Sequence, residues 1–290
     1  MSTFSIAALQ LNGDTCDNVE RMIAEIDAVV RRFPWLDMVI CPELACNTNL
    51  ESAEPMPGPR EQCFQEVARR HGIWLIPGSM FESDGDRVFN TAPVISPDGD
   101  VVARHRKQFP FLPYERGVSS GGAFTVIDVP DVGRFGLSIC YDMWFPETVR
   151  ALIWQGADVI LHPSLTSTID RSAEIAMVRA HAAMNQCYFV DVNLAGPLGV
   201  GESCIAGPGG EVLHQAGKGR EIIPIKIDID YLHEVRKRGW NGLGQPLKSF
   251  RDSSLAFPQY AANSRSQWLD ALGELEMPQR SARGSVQLDQ

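Results

Sequence analysis

The sequence predicts an α/β fold in which helices cover one large mixed sheet or two packed sheets. Short apolar segments with β character alternate along the chain with amphipathic segments of helical period. A turn at residues 97–100 joins two alternating segments and adds an antiparallel hairpin to this pattern. Because no linker-like segment interrupts it, we predict one domain over residues 1–250. A C-terminal extension is predicted over residues 251–290, where the apolar periodicity fades.

The N-terminal half begins with an alternating strand at residues 4–11 and an amphipathic helix from Val19, preceded by a capping-box pattern at residues 17–20. A short buried strand follows at residues 37–41. The next helix begins at Pro59 and ends at Gly72, since these residues suit the first helical position and the left-handed C-terminal cap. Further strands are predicted at residues 73–76, 88–96 and 101–105, before a loop rich in Pro and Gly at residues 109–122.

The C-terminal half contains two more predicted strands, at residues 124–129 and 135–140, and the second ends at Cys140. Pro146 and Glu147 suit the first turn of a helix over residues 147–155. A strand at 158–161, a helix at 171–186 and strands at 188–192, 204–206, 211–214 and 222–227 complete the pattern. Cys140 is therefore expected at a strand-to-helix turn, where ligands and chemistry collect in α/β proteins.

Composition and charge narrow the class of protein. The 290 residues are 44% hydrophobic and 21% charged, as is usual for a globular protein, and no apolar segment approaches the roughly 20 residues of a bilayer span. A net charge of −10 argues against nucleic acid and anionic membranes as partners. The first residues lack the basic and apolar segments of a secretory signal, so we expect a cytoplasmic protein.

Seven cysteines are scattered through the chain, mostly in apolar segments, which predicts free thiols in a reducing compartment. Cys41 and Cys46 flank Glu43, but the remaining ligands of a metal site are lacking. We therefore expect no metal site at these cysteines.

Reactive side chains follow three of the predicted strands: the carboxylate of Glu43, the amine of Lys107 and the thiol of Cys140. Taken singly, each is more often a turn carboxylate, a surface charge or a core thiol. Together they form a candidate site, because a thiol becomes a nucleophile when a base or a cation lowers its pKa.

These residues lie in motifs that resemble the nitrilase, or carbon–nitrogen hydrolase, superfamily over roughly residues 4–228. The motifs are Pro42-Glu43, Arg106-Lys107 and Ile139-Cys140-Tyr141-Asp142 followed by Phe145-Pro146-Glu147. The resemblance implies a four-layer αββα sandwich with a C-terminal extension. It also implies a homodimer or higher homo-oligomer, with the segment from Asp230 onward taking part in assembly.

The resemblance further implies a mechanism without a cofactor. Glu43 acts as the base for the Cys140 thiol, which attacks an amide carbon and forms a thioester. Lys107 and the backbone N–H of Tyr141 hold the oxyanion. Glu115 falls where the superfamily has a second active-site glutamate, and it is expected to hold Lys107.

The residues after Cys140 indicate the branch of the superfamily. True nitrilases usually carry Cys-Trp-Glu, whereas this chain has Tyr141 and Asp142 after the cysteine, which resembles the amidase and carbamoyl-hydrolase branches. Met143 and Trp144 replace the arginines that grip a substrate carboxylate in carbamoyl amino acid hydrolases. We therefore expect an amidase that releases ammonia from a small neutral amide. The residues expected to bind substrate are Tyr141, Trp144, His162 and Ser164.

Two alternatives remain at this point. An N-carbamoyl amine hydrolase or a nitrilase would use the same Glu-Lys-Cys site. A catalytically silent binding protein on the same fold is the alternative from a different functional class.

Overall fold

The computed structural model describes residues 3–277, which form two β-sheets between layers of helix. The strands are β1 (Thr3–Gln10), β2 (Met38–Ile40), β3 (Trp74–Ile76), β4 (Met80–Asp84), β5 (Arg87–Ile95), β6 (Val101–Arg106), β7 (Thr125–Val129), β8 (Gly133–Leu137), β9 (Val159–Ser164), β10 (Tyr188–Asn193), β11 (Cys204–Ala206), β12 (Val212–Gln215) and β13 (Glu221–Asp228). The helices are α1 (Val19–Arg32), α2 (Pro59–His71), α3 (Pro146–Trp154), α4 (Arg171–Asn185), α5 (Ile229–Arg238), α6 (Pro246–Arg251) and α7 (Gln267–Asp270).

Each sheet combines parallel and antiparallel strands. Within residues 3–277 the first sheet has seven strands, in the order β13-β1-β2-β3-β5-β4, with β6 also paired to β5. The second has six, in the order β12-β11-β10-β9-β8-β7. Strands β1, β2 and β3 run parallel, as do β8, β9 and β10. Because the carboxyl ends of parallel strands share one edge of a sheet, the loops after β8 and β9 lie at one edge of the second sheet, and the loop after β2 lies at the edge of the first sheet where β1 and β3 also end.

The main core lies between the two sheets. Ile6 and Ile40 from the first sheet belong to the same buried cluster as Leu137 and Val190 from the second. Burying these large side chains on both inner faces stabilises the sheet pair, at roughly 25 cal/mol for each Å² of apolar surface removed from water. The strands read as continuous apolar segments because each sheet is also covered on its outer face.

Helices cover both outer faces. Met22 of α1 and Phe64 of α2 share a buried cluster with Leu75 of the first sheet. Leu152 of α3 and Val178 of α4 are in another cluster, with strands of the second sheet. The order of layers is therefore helix, sheet, sheet, helix, which confirms the predicted αββα sandwich. Pro59 opens α2 and Gly72, at φ 61°, closes it, as the sequence predicts.

The turn that carries Cys140 differs from the prediction. Strand β8 ends at Leu137 rather than at Cys140, and Cys140 begins a short 3₁₀ helix over Cys140–Trp144. Ser138 still donates its backbone N–H to Leu161 of β9, but the N–H of Ile139 is bound by the Asp142 carboxylate at 2.9 Å. This bond within the turn takes Ile139 out of the strand ladder.

Other local predictions were wrong. The capping box before α1 does not form, because the N-cap Asn18 makes no side-chain cap and Asp17 accepts from the backbone of Val19 instead, at 3.1 Å. Strand β4 was not predicted, since its sequence mixes charged and apolar residues. Helix α5 was not predicted either, because it follows β13 without a loop; its N-cap Asp228 accepts from the N–H of Tyr231 at 3.0 Å.

The C-terminal extension contains α7 and long exposed segments, whereas α5 joins the main core through Ile229 and Leu232. Of the extension predicted over 251–290, residues 278–290 lie outside the described residues. The division at residue 250 stays a prediction. None of the helices within residues 3–277 combines the length and apolarity that a bilayer span requires.

Candidate active site

A cavity of about 230 Å³ opens at the carboxyl ends of β2, β8 and β9, beside the loop after β6. Six of the eight residues predicted to form the site line it. They are Glu43, Lys107, Glu115, Cys140, Tyr141 and Trp144. The four strand ends therefore bring together a thiol, an amine and two carboxylates from parts of the chain that are far apart in sequence.

Lys107 lies between the two carboxylates. Its Nζ is 2.8 Å from Oε1 of Glu43 and 3.1 and 3.0 Å from the two oxygens of Glu115. The side chains of Lys107 and Glu43 are 1% and 2% exposed, so this is an ion pair removed from water. Asn90 also donates from Nδ2 to Oε1 of Glu43 at 2.8 Å, which fixes the orientation of that carboxylate.

Glu115 is held from its own loop. Phe111 donates its backbone N–H to Oε2 of Glu115 at 2.5 Å. The bond closes the turn that follows Lys107, where the Pro-rich segment folds back toward the cavity. Glu115 is therefore placed to hold Lys107 from the side opposite Glu43.

Cys140 lies at the base of the cavity in an uncommon backbone conformation. Its φ of 48° is in the left-handed region, which a residue other than glycine seldom adopts. The Sγ atom is 4.0 Å from the carbonyl oxygen of Leu165, and Cys140 lines the same cavity as Glu43. The turn thus places the thiol in the cavity with the carboxylate rather than within the sheet.

Asp142 joins the two loops that carry Lys107 and Cys140. Its Oδ1 accepts the backbone N–H groups of Gln108 at 3.0 Å and Phe109 at 2.8 Å. Its Oδ2 accepts the N–H of Ile139 at 2.9 Å. Asp142 is fully buried, so these three bonds to one charged group are shielded from water and hold the two loops together.

The electrostatics of the site follow from burial and close charges. Burial raises the pKa of Glu43 above its ordinary value, and the Lys107 charge opposes that rise. Burial works against the charged form of Lys107, but the negative charges of Glu43 and Glu115 outweigh it and raise the pKa of Lys107. Lys107 is therefore an ammonium ion at neutral pH, beside a carboxylate that is a stronger base than usual.

Burial and the Glu43 charge also raise the pKa of Cys140 well above its ordinary value, with Lys107 opposing. Cys140 is therefore a thiol at rest. Burial likewise raises the pKa of Cys46, Cys187 and Cys204 to about 12. These three thiols lie outside the cavity lining, so the position of Cys140 in the cavity with Glu43 and Lys107 distinguishes it from them.

Aromatic rings form one wall of the cavity. Tyr141 packs edge-on against Phe111 with ring centroids 5.0 Å apart, and it lies 6.1 Å from Trp144. Because Tyr141 and Trp144 line the cavity, their positions favour the prediction that they contact substrate, which stays a proposal.

His162 and Ser164 do not line the cavity, which corrects the prediction that they contact substrate. Both are fully buried within β9, which extends to Ser164 rather than ending at residue 161. His162 contacts Ser138 at 2.9 Å, and Ser164 donates to Asp191 at 3.1 Å. Burial lowers the pKa of His162 to about 4, so this ring is neutral at pH 7. Their contacts support the second sheet rather than the cavity.

Three residues of the site were missed. Asn90 lies inside β5 and Asp142 within the cysteine motif, and neither was predicted to orient its neighbours. Glu174, in the first turn of α4, lines the cavity while only 4% exposed. A charged residue on the buried face of α4 was the available signal for Glu174. Among the described residues, no group of three or more His, Cys, Asp or Glu side chains is arranged to hold a metal ion.

Comparison with known proteins places the chain in a family. The carbon–nitrogen hydrolase family model matches residues 5–237. Omega-amidase NIT2-B of Xenopus laevis is 32% identical over 203 residues, which cover 65% of this chain and 73% of that protein. Omega-amidase NIT2 of Mus musculus is 30% identical over 258 residues, which cover 82% of this chain and 93% of that protein.

A solved structure agrees with this match. The crystal structure of Saccharomyces cerevisiae Nit3, a member of branch 10 of the nitrilase superfamily, aligns with a TM-score of 0.76 at 27% identity. The alignment covers 81% of this chain and 94% of the yeast chain. The family match spans both sheets and every strand end that carries a cavity residue. The chain therefore belongs to the carbon–nitrogen hydrolase family and is a hydrolase of carbon–nitrogen bonds other than peptide bonds.

Proposed function

We propose that this protein is a thiol-dependent amidase that converts a small amide without an anionic acyl group into the acid and ammonia. The observation that carries the proposal is that the Cys140 thiol lines one cavity with Glu43, whose carboxylate is bound by Lys107. Nucleophilic catalysis by cysteine requires a base beside the thiol and a charge to stabilise the oxyanion.

The first half of the reaction acylates the enzyme. Glu43 takes the proton of Cys140 as the thiolate attacks the amide carbon, so a resting thiol with a raised pKa suffices. Lys107 and the backbone N–H of Tyr141 stabilise the oxyanion that forms on the former carbonyl oxygen. Glu43 then gives its proton to the leaving nitrogen. The carbon–nitrogen bond breaks, ammonia departs and a thioester of Cys140 remains.

The second half releases the acid. Glu43 takes a proton from water, and the resulting hydroxide attacks the thioester carbon. The carbon–sulfur bond breaks as the oxyanion collapses, and Glu43 returns its proton to the Cys140 sulfur. Glu115 keeps Lys107 in place throughout, since its two oxygens lie 3.0 and 3.1 Å from Nζ.

Two observations favour an amide without an anionic acyl group over a carbamoyl amino acid. Relatives named omega-amidases match most of the chain, which supports amide chemistry. Lys107 is the only Arg or Lys among the described residues that line the cavity, and both of its neighbouring carboxylates already bind it. Within residues 3–277 no free cation lines the cavity, so a substrate carboxylate would lack a partner there.

The test is ammonia release from a panel of small amides and nitriles, with carbon dioxide measured in parallel. We expect ammonia from amides without carbon dioxide, and Cys140→Ala to abolish it. The matched control is Cys63→Ala, an exposed cysteine on α2, which should turn over normally. Carbon dioxide release would favour the carbamoyl alternative, and turnover by Cys140→Ala would contradict the proposed nucleophile.

We also propose that the protein works in the cytoplasm as a homodimer or a larger homo-oligomer. All seven cysteines are free thiols, as a reducing compartment would keep them. Trp154 on α3 is 72% exposed and contacts Phe250 of α6 with ring centroids 6.1 Å apart, so apolar surface continues from α3 into the C-terminal region. Light scattering tests the assembly, and a monomeric mass would contradict it.

A further inference from the structure

A buried carboxylate forms part of the cavity wall away from the Glu43–Lys107 pair. Glu174 is in the first turn of α4 and is only 4% exposed, yet it lines the cavity. Its Oε1 accepts from Oγ1 of Thr166 at 3.0 Å and from Nε1 of Trp144 at 3.4 Å. The proposed catalytic steps make no use of this group.

The cation that balances the charge of Glu174 is Arg171, which does not line the cavity. Arg171 contacts Oε2 of Glu174 at 3.1 Å and also binds the Asp191 carboxylate and the carbonyl oxygen of Glu202. Arg171 and Asp191 are not part of the cavity lining. Together the two carboxylates and one guanidinium carry a net negative charge. Glu174 is the member of this group that lines the cavity, and it therefore presents a hydrogen-bond acceptor to a substrate.

Carboxylates also outnumber cations among the other charged side chains that line the cavity. Glu43, Glu115, Asp170 and Glu174 contribute carboxylates, and Lys107 is the only Arg or Lys that lines the cavity in the described part of the chain. Because Glu43 and Glu115 bind Lys107, the wall that would meet the acyl group has no free positive charge. Buried charges interact strongly, because water does not screen them.

We propose that Glu174 is a specificity-determining residue that selects acyl groups ending in a hydrogen-bond donor and rejects acyl groups ending in a carboxylate. This inference rests on the proposed amidase function and refines it. A carboxylate has about four acceptor sites; Oε1 of Glu174 accepts from Trp144 and Thr166 and Oε2 accepts from Arg171, so one further acceptor site is left on Oε2. A hydroxyl, amide or ammonium group can fill that site, whereas a second carboxylate would add an unpaired like charge.

The test uses amides of the form H₂NCO–(CH₂)n–X, in which X is ammonium, hydroxyl, methyl or carboxylate at one chain length, repeated over several lengths. At the best length, we expect kcat/KM for the two donors to exceed that for methyl by about tenfold. We expect carboxylate to fall below methyl by a similar factor. The ammonium and hydroxyl arms separate a charged donor from a neutral one.

Glu174→Gln removes the charge while keeping an oxygen for Trp144 and Thr166. The ratios of donor to methyl and of methyl to carboxylate should both shift toward one. Glu20→Gln, on the exposed face of α1, changes the net charge equally and should leave both ratios unchanged.

Several results would overturn the inference. The first is a wild-type kcat/KM that does not depend on X, and the second is a wild-type kcat/KM that is highest for carboxylate. The third is a Glu174→Gln variant whose kcat/KM ratios equal those of wild type. The wild-type series alone decides the question if that variant does not fold. Hydrolysis of the methyl amide without any preference would refute only this inference, whereas failure to hydrolyse any amide would refute the proposed function itself.

Discussion

Replacing Asp142 with Asn tests whether one carboxylate holds the active-site loops together. Asp142 accepts three backbone N–H groups, two from the loop after Lys107 and one from the turn before Cys140. An amide has only one acceptor oxygen. In Asp142→Asn that oxygen can keep Gln108 and Phe109, but its NH₂ group then faces the N–H of Ile139.

The size of the effect follows from these bonds. Leaving the Ile139 N–H buried without an acceptor costs about 1–3 kcal/mol. The two remaining bonds lose their charge assistance, and neutral hydrogen bonds are roughly half as strong as charge-assisted ones. The sum is about 3 kcal/mol, which lowers Tm by on the order of 5–10 °C in a chain of this size. Loosening both loops should also reduce kcat/KM by about 100-fold, because small displacements of reacting groups are costly.

The assays are thermal unfolding and ammonia release, measured on Asp142→Asn and on Asp131→Asn. Asp131 is exposed and has a φ of 61°, a conformation that Asn accepts readily, so this control should match wild type. If Asp142→Asn keeps both the Tm and the rate of wild type, the loops do not depend on this carboxylate.

Two further predictions concern the pair beside Cys140. Because burial raises the pKa of Glu43, kcat/KM should fall as pH decreases through a value above the usual carboxyl range, since protonation removes the base. A pH–rate profile with no loss until about pH 4 would contradict this assignment. Lys107→Met should reduce kcat/KM by about 100- to 1,000-fold, because the oxyanion loses a charged donor. It should also move the acid limb to higher pH, as the charge that opposes the rise in the pKa of Glu43 is gone; a loss below tenfold with an unmoved limb would refute both roles.

Local sequence patterns predicted most strands and helices, and with them the positions of the main site residues. Glu43 and Lys107 follow β2 and β6, and the apolar patterns of those strands are short and clear. The family resemblance predicted that these two side chains and Cys140 meet in one cavity. The sequence of a single strand could not predict this, because it does not determine which other strands lie beside it.

What the sequence did not reveal depends on contacts between distant parts of the chain. Asp142 binds residues 33 and 34 positions away, and Glu174 contacts Trp144 from 30 positions away. His162 and Ser164 were placed in the site because the segment at residues 162–164 matches a motif of the superfamily, and β9 was predicted to end before them, at residue 161. The strand continues to Ser164 and is covered on both faces, which keeps their side chains inside the protein.

In the proposed reaction Cys140 carries the acyl group of the substrate. Intact mass spectrometry of Glu43→Gln incubated with a small amide tests it directly, because loss of the base slows hydrolysis of the thioester. We expect the mass to increase by one acyl group and peptide mapping to place that group on Cys140. The same experiment on Glu43→Gln combined with Cys140→Ala should show no adduct. An acyl group on another of the seven cysteines, or turnover of amide by the double variant, would contradict the claim.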